Sequence, residues 1–364
     1  MASKKTDIII SGYYGLGNSG DEALLKSIVD NLRRLDPDIR ITAMSGNAEY
    51  TRRVYGIDTV DRFNPFAVLK ELRKARLLLS GGGSLIQDAT STKSLLYYLA
   101  IIAAAKLMGL KVMLYANGMG PISDKNVSKV TRVLNKVDLI TLRENISLGE
   151  IERCKITAPK VAVTADPAYL LEPCSPERAQ KLLKDFGAKG IPVAISVRSW
   201  KTAGEDFENQ LALAADMLAE KGYTPLLFPM QRTRDLPISL RIKEKMKTPS
   251  AVIDREISVA EMLGVIRECG VVIGMRLHSL IFASAVNVPM IGIIYDPKIR
   301  GSMEYMNQRR YIDLEKVSAE VLYETAMDCL ENSSEIRNRL EAENTVLREK
   351  AAMNAVMALK LLNK

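Results

Sequence analysis

The segment GVVIGMRLHSLIFASA, residues 270–285, is the part of the sequence that most clearly decides the fold. Its first five residues form a short apolar run that predicts a buried strand, and residues 280–285 predict an apolar helix. Between them lie Arg276 and His278, and the latter is the only histidine of the chain. Because ligands of open α/β sheets bind beyond the carboxyl ends of the strands, a side chain that titrates near neutral pH lies here at a place suited to chemistry.

His278 has two competing interpretations. A single histidine at a strand-to-helix junction can cap the helix or fill the edge of a core. Arg276 favours a functional interpretation, because an unpaired buried guanidinium is costly whereas a guanidinium suits a phosphate or carboxylate ligand. We expect both side chains to face one cleft if the backbone between them is extended, since in a continuing helix they would point apart.

Strand-like apolar runs alternate with amphipathic helical stretches along the whole chain, which predicts parallel sheets with crossover helices. Pro167 and Pro173 bracket a short apolar bridge, and we place a domain boundary there. The predicted fold class is α/β, with two Rossmann-like, doubly wound domains facing each other across a cleft. We expect an amino-terminal domain over residues 1–172, a carboxyl-terminal domain over 173–333 and a final helix over 334–364. The predicted strands cover residues 7–10, 39–44, 77–80, 111–115, 139–142, 161–163, 192–197, 225–229, 251–253, 271–273 and 290–294.

The composition is that of a globular protein, with 47% hydrophobic and 26% charged residues. A formal net charge of +8 would attract anionic small molecules and phospholipid surfaces. Only 5% of the residues are aromatic, which disfavours a base-stacking surface, so we expect no nucleic-acid partner. The four cysteines lie far apart, and neither a disulfide framework nor a metal site is predicted. The amino terminus has no apolar signal run, and residues 95–105 are too short to span a bilayer, so we expect a cytoplasmic protein.

Three glycine-rich segments follow predicted strands. Residues 12–22, GYYGLGNSGDE, contain a formal G-x-G-x-x-G, and Ser19 with Glu22 fits the capping box that opens a helix. A dinucleotide site also requires an acidic residue at the end of the second strand, and residues 41–45 have none. An anionic or sugar ligand is therefore favoured over NAD. We predict further glycine turns at residues 81–83 and 117–121, so that three turns line one rim of a binding cleft.

Six motifs recur along the chain in a characteristic order: GxGNxGDEA at 15–23, GGGSLxQD at 81–88, GxGP at 118–121, LRE at 142–144, DP at 166–167 and RLH at 276–278. In order and spacing they resemble those of the polysaccharide pyruvyl transferases, and R-L-H before an apolar helix is the most specific of them. Within that family the chain looks most similar to the bacterial ketal-pyruvyltransferases that modify the secondary cell-wall polymer to which S-layer proteins attach. The resemblance implies two domains similar to those of GT-B glycosyltransferases, with the acceptor on the first and the donor on the second.

The resemblance also implies the reaction. The implied donor is phosphoenolpyruvate, with no separate cofactor, and the implied product is a pyruvate ketal across two sugar hydroxyls, commonly O4 and O6. The implied acceptor is N-acetylmannosamine on a lipid-diphosphate-linked disaccharide, which would bring the protein to the inner face of the membrane as a peripheral protein. A GT-B glycosyltransferase that uses a nucleotide sugar stays open as an alternative, because a fold does not fix a function. A sugar-binding module without activity is a third possibility.

Phosphoenolpyruvate carries a phosphate and a carboxylate, so its site requires several cations; Arg276, Arg143 and Lys298 are the candidates. Each of two candidates has an equally good structural interpretation. Arg143 fits a salt bridge with the neighbouring Glu144, and Lys298 fits a solvated charge on a loop. We expect Arg143 to act from the first domain and Arg276 from the second, so that the donor bridges the cleft.

His278 is the predicted acceptor of the sugar hydroxyl proton, because imidazole both takes and gives protons near neutral pH. The acid that protonates the vinyl carbon stays open among four carboxylates. We expect amide and carboxylate groups of the first domain to bind the acceptor sugar, and two polar residues of the second domain to line the donor side. The four carboxylates are Asp21, Glu22, Asp88 and Asp296; the acceptor-side residues are Asn18, Gln87 and Asp88; the donor-side residues are Arg198 and Gln231.

Overall fold

The structure is a computed structural model that describes residues 6–201, 203 and 205–364. The chain divides into two compact units. Unit 1 comprises Met1–Leu170 with Leu347–Lys364, and unit 2 comprises Leu171–Val346. Each unit is built on one parallel sheet, which confirms the predicted α/β class with two Rossmann-like units.

Unit 1 contains a sheet of seven parallel strands in the order β3-β2-β1-β4-β5-β6-β7. The order reverses between β1 and β4, which pair directly from Ile8 to Ser11. The strands are β1 Ile8–Tyr14, β2 Ile41–Ser45, β3 Asp58–Asp61, β4 Leu77–Ile86, β5 Lys111–Met119, β6 Leu139–Leu142 and β7 Lys160–Val163. The helices between them are α1 Ser19–Leu35, α2 Ala48–Tyr55, α3 Pro65–Leu72, α4 Thr92–Leu107, α5 Asp124–Leu134 and α6 Ile146–Arg153.

Unit 2 contains a sheet of six parallel strands in the order β10-β9-β8-β11-β12-β13, and here the order reverses between β8 and β11. The strands are β8 Pro192–Ser196, β9 Thr224–Leu227, β10 Ala251–Val252, β11 Val271–Gly274, β12 Met290–Ile294 and β13 Tyr311–Asp313. The helices are α7 Pro176–Asp185, α8 Glu205–Glu220, α9 Arg232–Lys245, α10 Val259–Arg267, α11 Leu277–Ala285, α12 Pro297–Tyr305 and α13 Ala319–Glu331.

The last helix, α14 Ser333–Leu362, belongs to both units. In its first part, the Arg337 side chain donates to the carbonyl of Cys269 at 2.8 Å, within unit 2. In its last part, Asn354 Oδ1 accepts the hydroxyl of Thr164 at 2.9 Å, within unit 1. The expectation of a separate segment over residues 334–364 is thus replaced by a helix shared between the units. Ala355, Ala358 and Leu362 in its last part pack into the core of unit 1.

Strands with continuous apolar runs lie where the sequence predicted them, but two short strands were missed. These are β3, with the sequence DTVD, and β13, with the sequence YID. Both lie at the edge of a sheet and carry polar residues, so they have no apolar run that would reveal them. Among the described residues, no helix combines the length and the apolar character that crossing a bilayer requires.

The second glycine segment and the first three residues of the third are strand rather than turn, whereas Gly120 and Pro121 follow the end of β5. Gly81 and Gly83 lie within β4 and pair with β5, which itself contains Gly118. A Cβ on Gly81 would lie 2.6 Å from the Tyr14 hydroxyl, and Gly82 has a φ of +66° that favours glycine. The prediction of three glycine turns along one rim is therefore wrong for residues 81–83 and 117–119, because these glycines admit close packing inside the sheet.

Candidate functional site

Five of the predicted site residues follow the carboxyl ends of four adjacent strands in unit 2. Neighbouring parallel strands end at the same edge of a sheet, and open α/β sheets bind ligands where the strand order reverses, which here is between β8 and β11. These residues are Gln231 after β9, Arg198 after β8, Arg276 and His278 after β11, and Lys298 after β12. The unit 2 sheet therefore collects at one edge the side chains that the sequence assigned to donor binding and proton transfer.

Arg276 is held by a buried carboxylate on the neighbouring helix. Its Nε donates to Asp235 Oδ2 at 2.9 Å, and its Nη2 bonds to Oδ1 of the same carboxylate. Asp235 is fully buried and also accepts the backbone N–H of Gln231 at 2.8 Å. The Gln231 amide oxygen lies 3.5 Å from Arg276 Nη2. A bidentate pair of this kind fixes the plane of the guanidinium, while 12% of the Arg276 side chain stays exposed.

His278 lies in the first turn of α11, two residues after Arg276. Arg276 has φ −79° and ψ 119°, so the backbone is extended there and the helix begins at Leu277. The imidazole is partly buried, and its centroid lies 6.2 Å from the Phe282 ring one turn further along. The backbone is thus extended at Arg276 only, whereas Leu277 and His278 are already helical, so the extended backbone that the sequence argument required between the two residues is present only in part.

Arg198 is enclosed by aromatic rings. Its Cζ lies 5.3 Å from the Trp200 ring centroid and 5.5 Å from that of Tyr295, and the two rings are 4.4 Å apart. Its Nη1 donates to the Tyr295 hydroxyl at 3.3 Å. The contact joins the ends of β8 and β12, the two strands on either side of β11.

Lys298 lies in the first turn of α12, where Asp296 caps the helix. The Asp296 carboxylate accepts the backbone N–H of Lys298 at 3.0 Å. Asp296 is thereby engaged in capping, which is the ordinary use of a carboxylate at this position. The Lys298 side chain is partly buried.

The first glycine turn of unit 1 is fixed by its own polar residues. Asn18 caps α1, and its Oδ1 accepts the N–H of Gly20 at 3.1 Å. The predicted capping box of Ser19 and Glu22 is wrong, because the helix begins one residue earlier than that pattern requires. Glu22 is instead buried, accepting the N–H of Gly15 at 2.7 Å and the hydroxyl of Tyr55 at 2.7 Å. The side chains of Asn18 and Glu22 therefore shape the turn itself.

Gln87 and Asp88 follow β4 and also bond within unit 1. Gln87 Nε2 donates to the Thr90 hydroxyl at 2.6 Å. Asp88 accepts the backbone N–H of Ser123 at 2.9 Å and the amide of Asn126 at 2.7 Å. Burial alone would raise the pKa of Asp88, but the hydrogen bonds from Ser123 and Asn126 outweigh it, and the pKa is lowered. Asp88 is therefore a poor source of a proton near neutral pH.

Arg143 differs most from its predicted role. Its Nη1 donates to Asp166 at 3.0 Å and its Nε to Glu144 at 3.1 Å, and all three side chains are at most 5% exposed. Its Nη2 lies 3.3 Å from the Ser84 hydroxyl. Burial opposes the charge, but the two carboxylates outweigh it and raise the pKa of Arg143. Where the sequence predicted a cation for the donor, the structure shows a guanidinium with two internal anionic partners.

Three residues of the unit 2 edge escaped the sequence interpretation. Asp235 lies 41 positions before Arg276, and Tyr295 lies 97 positions after Arg198, so only the fold brings each pair together. Trp200 did offer a signal, because it is the single tryptophan of the chain and stands two residues after Arg198.

Comparisons with known proteins identify the family of the chain. A model of the family described as polysaccharide pyruvyl transferase matches residues 18–297. The amylovoran biosynthesis protein AmsJ of Erwinia amylovora is 24% identical over 359 residues, covering 82% of this chain and 86% of AmsJ.

Solved structures share the fold at low identity. HepE of Anabaena in complex with UDP-glucose is 11% identical with a TM-score of 0.67, and covers 98% of this chain and 99% of its own. S. aureus MnaA in complex with UDP is 12% identical with a TM-score of 0.69, and covers 99% of this chain and 98% of its own. These likenesses show the GT-B-like fold alone. The family match spans most of the chain and includes Arg276 and His278, so the protein belongs to the polysaccharide pyruvyl transferase family and is a pyruvyltransferase.

Proposed function

We propose that the protein transfers the pyruvyl group of phosphoenolpyruvate onto two hydroxyls of one sugar residue, as a ketal, and releases phosphate. The observation that carries the proposal is the edge of the unit 2 sheet. Arg198, Arg276, Lys298 and the only histidine follow β8, β11 and β12 there, at the reversal of strand order. Phosphoenolpyruvate carries a phosphate and a carboxylate, so its binding and reaction require several cations beside a group that transfers protons.

The reaction balances without a redox step. A proton adds to the vinyl carbon of phosphoenolpyruvate, which becomes a methyl group and leaves a cationic carbon. One sugar hydroxyl attacks that carbon and loses its proton, the carbon–oxygen bond to phosphate breaks, and the second hydroxyl closes the ketal. Of the two hydroxyl protons, one replaces the proton consumed at the methyl group and the other leaves with phosphate. One group that alternately accepts and donates a proton suffices, and we assign that role to His278.

Arg276 is the proposed partner of the donor carboxylate, with Lys298 as a further cation. The buried Asp235 orients the Arg276 guanidinium before the donor arrives, so less conformational entropy is lost on binding. We give Arg143 no contact with the donor, because Asp166 and Glu144 already neutralise it. No cofactor is needed for the steps as written.

For the acceptor, we propose a sugar of a cell-envelope polysaccharide precursor. The resemblance to the S-layer-anchoring subgroup implies N-acetylmannosamine on a lipid-diphosphate-linked disaccharide, while AmsJ is named for amylovoran biosynthesis. Asn18, Gln87 and Asp88 stay proposed as acceptor contacts, although each already bonds within unit 1. With a formal net charge of +8, peripheral contact with an anionic membrane at its cytoplasmic face is part of the proposal.

The test compares donors. We expect phosphoenolpyruvate to raise the melting temperature, and to release phosphate only when a saccharide acceptor is present. UDP is the matched probe for a nucleotide-sugar glycosyltransferase. Stabilisation by UDP with none by phosphoenolpyruvate would overturn the proposal in favour of that alternative, and stabilisation by neither would favour a binding module.

A further inference from the structure

We propose that Arg198, Trp200 and Tyr295 form an anion subsite that holds the phosphate group of the donor. The inference rests on the proposed function and deepens it, because it assigns the two ends of phosphoenolpyruvate to different arginines.

The three arginines considered for donor binding differ in how many carboxylates neutralise their charge. Arg143 has two carboxylate partners and Arg276 has one, each within 3.1 Å. Arg198 has no carboxylate partner within the part of the chain that the structure describes; its neighbours are the rings of Trp200 and Tyr295 and the Tyr295 hydroxyl. Arg198 is therefore the arginine of this group whose full positive charge is left for a ligand.

The aromatic neighbours strengthen the attraction of that charge for an anion. Arg198 is partly buried, and its Nε is shielded from solvent without a hydrogen-bond acceptor in the described residues. Rings attract a cation through their electron-rich faces but do not neutralise it as a carboxylate does. They also displace water, and in the lower local dielectric an approaching anion is attracted more strongly. The rings thus hold the guanidinium in place while preserving its charge.

The position of the cluster agrees with donor binding. Arg198 and Tyr295 follow β8 and β12, and β11 lies between these strands, so their 3.3 Å contact crosses the strand that leads to Arg276 and His278. A phosphate at Arg198 and a carboxylate at Arg276 would direct the two acidic ends of one small molecule to neighbouring strand ends. The sugar hydroxyls that receive the pyruvyl group carry no charge, so the phosphate that must lie beside the reacting carbon is that of the donor.

Trp200 supplies a direct readout, because it is the single tryptophan of the chain. Its fluorescence would be titrated with phosphoenolpyruvate, inorganic phosphate, pyruvate and UDP in the full chain, without any acceptor. We expect phosphoenolpyruvate and inorganic phosphate to change the emission saturably and to compete with each other, and pyruvate to be much weaker than either.

The variants are Arg198→Met, Arg198→Lys and Tyr295→Phe, all of which keep the tryptophan. Arg198→Met should weaken both phosphate ligands by about tenfold or more, as the loss of a charge-assisted hydrogen bond requires, and Arg198→Lys by less. Arg255→Met is the matched control, since Arg255 also stacks on a ring, that of Phe186, but has the carboxylate of Asp185 as its partner. Circular dichroism melts would compare the folding of each variant with the parent protein.

Unchanged affinity of Arg198→Met for phosphoenolpyruvate would overturn the subsite. Competition of pyruvate with phosphoenolpyruvate at the same concentrations as inorganic phosphate would overturn it too. A saturable response to UDP with none to phosphoenolpyruvate, lost in Arg198→Met, would uphold an anion subsite but contradict the proposed donor. The two failures are thus distinguishable.

Discussion

The fully buried carboxylate of Asp235 accepts the Nε–H of Arg276 at 2.9 Å, 41 positions away in the sequence. This pair determines how the guanidinium is presented at the end of β11. Asp235→Asn keeps the shape but removes the charge, so we expect KM for phosphoenolpyruvate to rise more than kcat falls. Breaking a buried pair by removing one partner costs about 3–5 kcal/mol of stability, and a melting curve should record part of that loss.

The matched control for Asp235→Asn is Asp30→Asn in the exposed Lys26–Asp30 pair, at 2.8 Å. An exposed pair contributes about 0–1 kcal/mol, so this variant should change neither stability nor KM noticeably. If Asp235→Asn left KM unchanged in folded protein, the positioning role would be refuted.

His278→Ala should lower kcat by about 10²–10⁴-fold, the usual contribution of a positioned general acid–base group. The imidazole is partly exposed, so we expect the melting temperature to change little. Phosphate release from phosphoenolpyruvate in the presence of acceptor measures the effect. Turnover near that of the parent protein would remove His278 from the mechanism.

Arg143→Met is expected to act on stability. It would leave the carboxylates of Glu144 and Asp166 buried without their cation, a loss of about 3–5 kcal/mol in the free energy of unfolding. Urea denaturation measures that loss, and KM for phosphoenolpyruvate should be unaffected in the fraction that stays folded. A stable variant with a greatly raised KM would instead return Arg143 to donor binding.

Asp88 should make the stability depend on pH. Its pKa is lowered in the folded protein, so its contribution is fully present above the unfolded value near 4 and is lost as the pH falls through the folded value. Asp88→Asn should therefore lower the melting temperature at pH 7, and the difference from the parent protein should shrink below about pH 4. The exposed Asp58, whose side chain has no hydrogen bond in the described part of the chain, is the control position. A difference that does not depend on pH would contradict this assignment.

The fold could be predicted from sequence because most strands are continuous apolar runs separated by helices, such as VVIG of β11 and MIGII of β12. The short edge strands β3 and β13 could not, because polar residues interrupt them. Residues 81–83 show another limit: glycines predict a turn when they follow an apolar run, and only the pairing with β5 reveals that the strand continues.

For the candidate site, too, local sequence was informative and contacts between distant parts of the chain were not visible. Arg276 and His278 could be placed at the end of β11 because they follow an apolar strand, and local sequence contains that information. Their partners could not be found, because the contacts of Arg276 with Asp235 and of Trp200 with Tyr295 join distant parts of the chain. Arg143 shows the reverse error, since its neighbour Glu144 was visible in the sequence but the burial of both was not.

The most direct test of the central claim follows the donor carbon itself. Phosphoenolpyruvate labelled with ¹³C at its second carbon would be incubated with a saccharide acceptor and observed by NMR, while phosphate is measured in parallel. The account predicts a quaternary ketal carbon on the saccharide, one phosphate released per ketal formed, and the loss of both signals in His278→Ala. Phosphate release without a ketal, or no turnover of phosphoenolpyruvate with acceptors that the protein demonstrably binds, would contradict it.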